Sequence, residues 1–186
     1  MTENIYINTD KRFFYISDDI DNESIGKICA SLLYLLAEDD KNDEEKKNYE
    51  REPIKIYVSS FGGSVYDMWT LIDIMLNSKT PIYTYCTGYA MSAGFKIFLA
   101  GTKRFASKHA TFMYHALSTW KEGEGHIQDV KESLEECERL QTAIEEYIVA
   151  RTKITSGRLA EVRDKKLNWF IGCDEALELG IIDETI

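Results

Sequence analysis

The segment Pro81–Gly94, with the sequence PIYTYCTGYAMSAG, constrains the fold more than any other part of the chain. The β-branched and aromatic run Ile82–Thr87 predicts a strand, and Gly88 predicts the turn that ends it. An apolar helical pattern follows Gly94, so Ser92 lies between a turn and the start of a helix. The segment therefore predicts a strand, a sharp turn, a serine and a helix in direct succession.

A serine in this position has two interpretations. Reached through a tight turn, the Ser92 Oγ would lie clear of the backbone, near N–H groups of the first helical turn that have no acceptors within the helix. A nucleophilic serine requires this exposure and these donors. Serine is also a preferred N-cap residue, and small neighbours allow close helix packing. The motif alone leaves both interpretations open.

A second strand, turn and helix precede this segment. Ile54–Ser59 predicts a strand, Ser60–Ser64 (SFGGS) predicts a turn, and a helical apolar pattern begins at Val65. Two βα units in succession imply right-handed crossovers in a mainly parallel sheet, with both turns at one edge. The glycine turn has two interpretations. Its backbone N–H groups approach a ligand, as in an oxyanion hole, or its glycines only provide the backbone conformation that the turn needs.

Apolar periodicity divides the rest of the chain into short strands and helices. We expect strands at Phe13–Ile16, Arg104–Ala106, Thr111–Ala116 and Ile181–Ile182, and helices at Asn22–Glu38, Ile127–Ile154, Gly157–Lys165 and Cys173–Leu179, the last closed by Gly180. The charged stretch Asp39–Pro53 predicts a solvated loop, with a specific docking role as the less favoured alternative. Leu117–Gly125 predicts a loop or an irregular strand.

The helix Ile127–Ile154 is longer than a domain of this size needs to cover its own sheet. Its apolar positions recur near heptad spacing, with Gln141 as a polar interruption, and its other faces are charged. We expect part of it to project and pack against another subunit. A surface helix along one monomer is the alternative.

Composition bounds the class of protein and its partners. The chain has 186 residues, 44% hydrophobic and 29% charged, as expected for a single globular domain over residues 1–186. No apolar run has transmembrane length and the N-terminus lacks the apolar core of a signal peptide, so we expect a cytoplasmic protein. With 22 basic and 32 acidic residues the net charge is −10, which would repel nucleic acid and anionic membranes.

Cysteine and histidine spacing gives no sign of a metal site. Cys29, Cys86 and Cys173 lie in apolar patterns and are expected to be reduced core residues, whereas Cys137 is expected to be more exposed. The three histidines have no ligand spacing, so we expect neither metal nor cofactor. His115 is the best candidate base because it ends a predicted strand beyond Ser92, although a local hydrogen bond at a strand edge would also explain it.

Several motifs together resemble one known family. In order they are SFGGS (60–64), GYAMSAGFKIFLAGTKRFA (88–106), TFMYHA (111–116), the long helix, and NWFIGCDEALELGIIDETI (168–186). This order and spacing resemble the proteolytic subunit of the ATP-dependent Clp protease, the ClpP family, over nearly everything after Arg12. The implied fold is α/β, with ClpP/crotonase-like repeated ββα units and a projecting handle helix at 127–154.

The resemblance implies a function and a site. Ser92 would be the nucleophile, His115 its general base, and the backbone N–H groups of Gly63 and Ala93 the oxyanion hole. The implied protein is a self-compartmentalised serine endopeptidase that hydrolyses unfolded proteins or small peptides. It would form stacked heptameric rings joined by the handle helix, with substrate lying along Leu117–Gly125 and an AAA+ unfoldase as partner.

The chain departs from the family pattern at two places. Asn168 occupies the position where the family usually has an aspartate; it can accept a hydrogen bond from the histidine but brings no charge, and Asp164 is the alternative third member. The alternative function is therefore a catalytically weak ClpP-like subunit that acts mainly in the assembly of a mixed complex. The stretch before Phe13 is shorter than the family's usual N-terminal segment, which leaves gating and unfoldase docking open. An acyl-CoA-binding crotonase is disfavoured by the acidic charge and the Ser-His pair.

Overall fold

A computed structural model describes residues 5–118 and 126–186. The strands are β1 (Ile5–Asn8), β2 (Phe13–Ile16), β3 (Ile54–Val58), β4 (Ile82–Cys86), β5 (Tyr89–Met91), β6 (Lys103–Ala106), β7 (Thr111–Tyr114), β8 (Trp169–Gly172) and β9 (Glu184–Thr185). The helices are α1 (Asn22–Glu45), α2 (Val65–Leu76), α3 (Ala93–Leu99), α4 (Ile127–Arg151), α5 (Ser156–Asp164) and α6 (Cys173–Glu178).

The strands form two sheets. The larger sheet has the order β1-β2-β3-β4-β6-β9 and is parallel except for β1, which runs antiparallel to β2. The smaller sheet has the order β5-β7-β8, with β5 and β7 parallel and β8 antiparallel to β7. Since β4 leads into β5 and β6 leads into β7, the predicted α/β class with repeated ββα units is confirmed. The larger sheet is the mainly parallel sheet that the βα units predict, whereas the smaller sheet was not predicted, because β5 is too short to show a period of two.

Alternation along the strands directs one face of the larger sheet into the core. Buried residues alternate with partly exposed ones in β2 and β4, and the buried set packs with α1, α2 and α3 into one cluster. The opposite face carries a row of aromatic rings, one from each of four neighbouring strands. Ring centroids are 5.0 Å apart for Phe13 and Tyr57, 4.6 Å for Tyr57 and Tyr85, and 4.8 Å for Tyr85 and Phe105.

The predicted loop Asp39–Pro53 is wrong in its first half, because α1 continues to Glu45 instead of ending at Glu38. Arg51 stabilises this extension by folding back onto it. Its guanidinium donates hydrogen bonds to Asp43 and, at 2.7 Å, to Asp40. The charged stretch therefore makes structural contacts that apolar periodicity does not reveal.

Asp39 is the buried centre of a polar cluster at this end of α1. Its carboxylate is 1% exposed and accepts hydrogen bonds from Arg12 at 2.6 and 3.2 Å, from Thr80 at 2.6 Å and from Tyr49 at 2.7 Å. Burial raises the pKa of Asp39, but these hydrogen bonds outweigh it and the pKa is lowered overall. Two of these partners, Arg12 and Thr80, are distant from Asp39 in sequence, and the docking role of the charged stretch stays a prediction.

The C-terminal segment also differs from expectation. The predicted strand Ile181–Ile182 is wrong, because both N–H groups donate to the Ala176 carbonyl, at 2.8 and 3.3 Å, in the turn that follows α6. Gly180 takes a positive φ of 65° in this turn. The last strand forms later, at Glu184–Thr185, where it pairs with β6. Both isoleucines are buried, so their apolar character reflects the core and not a strand.

The long helix α4 is half buried and half exposed. Its second half packs against the body through Leu140, Ile144 and Ile148, and it ends at Arg151, three residues before the predicted end. Its first half exposes apolar side chains, with Ile127 78% exposed. The exposed apolar residues of this half are Ile127, Val130 and Leu134. The first half of α4 thus carries an exposed apolar stripe that does not pack against the core.

The Asp39 cluster predicts a specific loss of stability. Replacing Asp39→Asn removes the buried charge that Arg12 faces and should lower the free energy of unfolding by about 3 kcal/mol. Because the folded pKa lies below the ordinary 3.8, this stabilisation is present above pH 3.8 and is lost as the pH falls below it. Urea unfolding at pH 7 and pH 3 measures both effects, with the exposed Glu38→Gln as control. Equal midpoints for the two variants at pH 7 would contradict the assignment.

Candidate active site

Ser92 lies directly before α3 in a conformation that few serines adopt. Its φ is 50° and its ψ is −118°, which costs about 1–3 kcal/mol of backbone strain. The Ser92 N–H donates to the Met113 carbonyl of β7 at 2.9 Å, so the small sheet holds the strained residue in place. The Ser92 side chain makes no capping hydrogen bond, and the N-cap interpretation therefore does not account for this serine.

The Gly62-Gly63 turn lies between Ile20 and Ser92. The Ile20 N–H donates to the Gly62 carbonyl at 2.8 Å, and the Ser64 N–H donates to the Ile20 carbonyl at 2.6 Å. These two bonds flank Gly63 in a parallel bridge, so the Gly63 N–H is directed to the opposite side, away from Ile20. Gly63 also lines a cavity with Ser92.

Both positions of this turn require glycine. Gly62 and Gly63 have φ values of 117° and 147°. A Cβ on Gly62 would lie 2.6 Å from the Ser92 Cβ and 3.0 Å from the Ala93 nitrogen, and a Cβ on Gly63 would lie 2.2 Å from the Ile20 carbonyl oxygen. The absence of side chains thus lets the turn approach Ser92 and the first N–H of α3.

Ser60 fixes the turn to the neighbouring strands. Its carbonyl accepts a hydrogen bond from the Met91 N–H at 2.9 Å. Its hydroxyl donates to the Asp18 carbonyl at 2.6 Å and accepts from the Gly62 N–H at 3.1 Å. Ser60 is itself buried, so the turn is held by hydrogen bonds shielded from water.

One small cavity brings four of the predicted site residues together. Its volume is about 80 Å³, and Ser92, His115, Gly63 and Ala93 all line it. The other described residues that line it are Val65, Met68, Lys96, Ala116, Leu117, Ser118 and Ile144. The predicted substrate segment Leu117–Gly125 lies outside the described residues from position 119 onward.

His115 follows β7 and is half buried. Its Nδ1 lies 2.6 Å from the Ala116 carbonyl oxygen, and because a carbonyl only accepts, Nδ1 carries the proton and Nε2 is free to accept one. Burial and the positive charge of Lys96 lower the His115 pKa, and the bond to Ala116 opposes them more weakly. The imidazole is therefore neutral at neutral pH, as a general base must be.

Asn168 and Asp164 lie outside this cavity. The pairing of β7 with β8 ends at Tyr114 and Trp169, and one further step of the same register puts Asn168 opposite His115. Asn168 is exposed, however, and is not among the described residues that line the cavity. Asp164 is also exposed and pairs with the Arg163 Nε at 3.3 Å. The choice of a third member stays a prediction.

Lys96 is a further residue of the cavity that was not predicted from the sequence. This residue is buried within α3 and lines the cavity beside Ser92, and burial lowers its pKa to about 7. The available indication was its spacing, because residues four apart share a helix face and Ser92 is four positions earlier. The surrounding apolar residues of α3 instead suggested a uniform core helix.

The burial of the cysteines agrees with the sequence prediction. All four cysteines are free; Cys29, Cys86 and Cys173 are buried and Cys137 is partly exposed, as predicted. Burial raises the pKa of Cys86 to about 12, so this thiol is unreactive at neutral pH. Within residues 5–118 and 126–186, no three histidine, cysteine or acidic side chains are close enough to hold a metal ion. None of the described helices is long and apolar enough to cross a membrane.

Substitution of Gly63 tests the geometry of the turn. Gly63→Ala should lower the free energy of unfolding by about 3 kcal/mol, because its Cβ would overlap the Ile20 backbone. The control is Gly26→Ala on the exposed side of α1, where no atom lies within 4 Å of a new Cβ and up to about 1 kcal/mol of stabilisation is expected. Urea unfolding compares the two. A Gly63→Ala variant as stable as wild type would mean that the turn is not constrained in this way.

Comparison with known proteins shows the family to which this chain belongs. The family model described as Clp protease matches residues 3–186. ATP-dependent Clp protease proteolytic subunit 3 of Frankia casuarinae is 32% identical over 178 residues, covering 95% of this chain and 77% of the relative. Proteolytic subunit 1 of Shouchella clausii is 30% identical over 177 residues (94% and 84%), and subunit 2 of Synechococcus sp. (strain CC9605) is 29% identical over 178 (95% and 83%). The chain therefore belongs to the Clp protease family and is a serine-type protease subunit.

Proposed function

We propose that this chain is an endopeptidase subunit in which Ser92 is the nucleophile and His115 the general base. The observation that carries the proposal is the single cavity lined by Ser92, His115, Gly63 and Ala93. The neutral His115 with a free Nε2 supports the assignment of the base. The absence of a capping bond at Ser92 leaves its hydroxyl available for the reaction.

In this mechanism His115 Nε2 takes the proton from Ser92 Oγ as Oγ bonds to the carbonyl carbon of the scissile peptide. The electron pair of the C=O bond moves to oxygen, and the Gly63 and Ala93 N–H groups donate hydrogen bonds to this oxyanion. The C–N bond then breaks, and the leaving amine takes the proton from His115. Water resolves the acyl-enzyme by the same steps, with His115 again as base.

We assign Asn168 as the third member, on the strand register that puts it opposite His115. An uncharged residue suffices because the Ala116 carbonyl already accepts the Nδ1 proton and so selects the productive tautomer, which leaves Asn168 only to support the orientation of the ring. Asp164 is the weaker alternative, since it is exposed and paired with Arg163.

We infer that the subunit assembles into stacked heptameric rings that enclose the sites. The apolar stripe on the projecting half of α4, residues Ile127, Val130 and Leu134, supports packing between subunits. Enclosure would limit substrates to unfolded proteins and small peptides. The row of aromatic rings on the face of the larger sheet opposite the core supports the docking of an AAA+ unfoldase. The four free cysteines fit a cytoplasmic location.

A second candidate function is a catalytically weak subunit that acts in the assembly of a mixed complex. The exposure of Asn168 favours it, because no charged third member lies beside His115 in the described cavity lining. The two candidates differ in the turnover of a homogeneous preparation.

Peptide hydrolysis separates these candidates. Wild type from the oligomeric fraction of a gel filtration column should hydrolyse a blocked fluorogenic peptide, and Ser92→Ala should lower kcat at least about 10⁴-fold. Ser31→Ala, on α1 and away from the cavity, is the matched control and should keep full activity. Equal rates for wild type and Ser92→Ala would exclude the peptidase proposal and favour the assembly role.

In the same assay, Asn168→Ala should lower kcat less than about tenfold, since the Ala116 carbonyl continues to hold the Nδ1 proton of His115.

A further inference from the structure

Lys96 is a buried cation beside the nucleophile. Its side chain is 3% exposed, and its N–H lies 3.4 Å from the Ser92 carbonyl in the first turn of α3. Helical side chains lean toward the N-terminus of their helix, which directs Lys96 toward Ser92. Lysines are almost never buried this fully unless a partner balances the charge.

The described surroundings of Lys96 supply no such carboxylate. From β7, the Tyr114 ring lies 5.2 Å from the ammonium, and the His115 imidazole adjoins it. From α2 and α4, the described cavity lining contributes Val65, Met68 and Ile144, which are apolar.

A carboxylate on α4 is already committed elsewhere. Glu145 accepts hydrogen bonds from Arg163 at 2.6 and 2.8 Å and from Gln141 at 2.7 Å. The low pKa of Lys96, about 7, arises from burial, with no contribution from a neighbouring acid. Among the described residues, the ammonium therefore lacks a counter-ion.

The cavity has the size and chemistry to receive an acidic side chain. Its volume of about 80 Å³ holds several water molecules or one short side chain. Apolar walls would contact the methylene groups of the substrate residue, and Lys96 would pair with its carboxylate. An ion pair between Lys96 and a substrate carboxylate, shielded from water and with no protein carboxylate competing for the lysine, would favour acidic over neutral substrate side chains.

We propose that this cavity binds the side chain of the residue whose carbonyl Ser92 attacks, and that Lys96 makes the enzyme prefer glutamate or aspartate there. The inference rests on the proposed role of Ser92 and adds the substrate class. It makes Lys96 a specificity-determining residue that contacts substrate and takes no part in proton transfer.

Three blocked peptides that differ only in the residue before an aminocoumarin leaving group test the preference. The residues are glutamate, its uncharged isostere glutamine, and leucine. For wild type, kcat/KM on the glutamyl peptide should exceed that on the glutaminyl peptide at least about tenfold. Lys96→Met should abolish this ratio and raise the relative rate on the leucyl peptide. Lys103→Met, on β6 and outside the described cavity lining, is the charge-matched control and should keep the wild-type ratio.

The outcomes also separate this inference from the function on which it rests. Lys96→Met removes a buried charge, so its melting temperature should equal or exceed that of wild type. Ser92-dependent hydrolysis with equal glutamyl and glutaminyl rates would overturn the acidic preference and leave the peptidase function intact. An equal loss on all three peptides in a folded Lys96→Met would assign Lys96 to the chemistry and overturn its role in selectivity. Wild type inactive on every peptide would remove both proposals.

Discussion

The close contact between the Gly62-Gly63 turn and Ser92 is the constraint on which the candidate site depends. The turn is bridged to Ile20 on one side and lies against the Ser92 Cβ on the other, with no room for a side chain on either glycine. This contact brings Gly63 and Ala93 to the same cavity, although they come from different βα units. The larger sheet therefore positions part of the site through the turn at the carboxyl end of β3.

Electrostatics in the cavity follow from burial of two basic groups next to each other. Desolvation lowers the pKa of Lys96, and burial together with the Lys96 charge lowers the pKa of His115. The neutral imidazole suits a base. Burying that ammonium costs folding free energy. The proposed contact with an acidic substrate side chain would offset this cost.

The sequence predicted the parts of the fold that have strong periodicity and the residues that share a motif. It identified the strand and helix around Ser92, the glycine turn and His115, and the structure brings these residues to one cavity. It did not predict the Asp39 cluster or the burial of Lys96, because both depend on partners that only the folded chain brings together. It misassigned Ile181–Ile182, since a buried apolar pair has the same pattern in a turn as in a strand.

The central claim is that Ser92 is an activated nucleophile, and covalent labelling with a fluorophosphonate tests it most directly. An ordinary serine hydroxyl is inert to this reagent, whereas Ser92 with His115 as base should displace fluoride and form one phosphonyl adduct per chain. Intact mass spectrometry of the oligomeric fraction should show that single adduct in wild type and none in Ser92→Ala. No adduct on wild-type protein, or an adduct that persists in Ser92→Ala, would contradict the account.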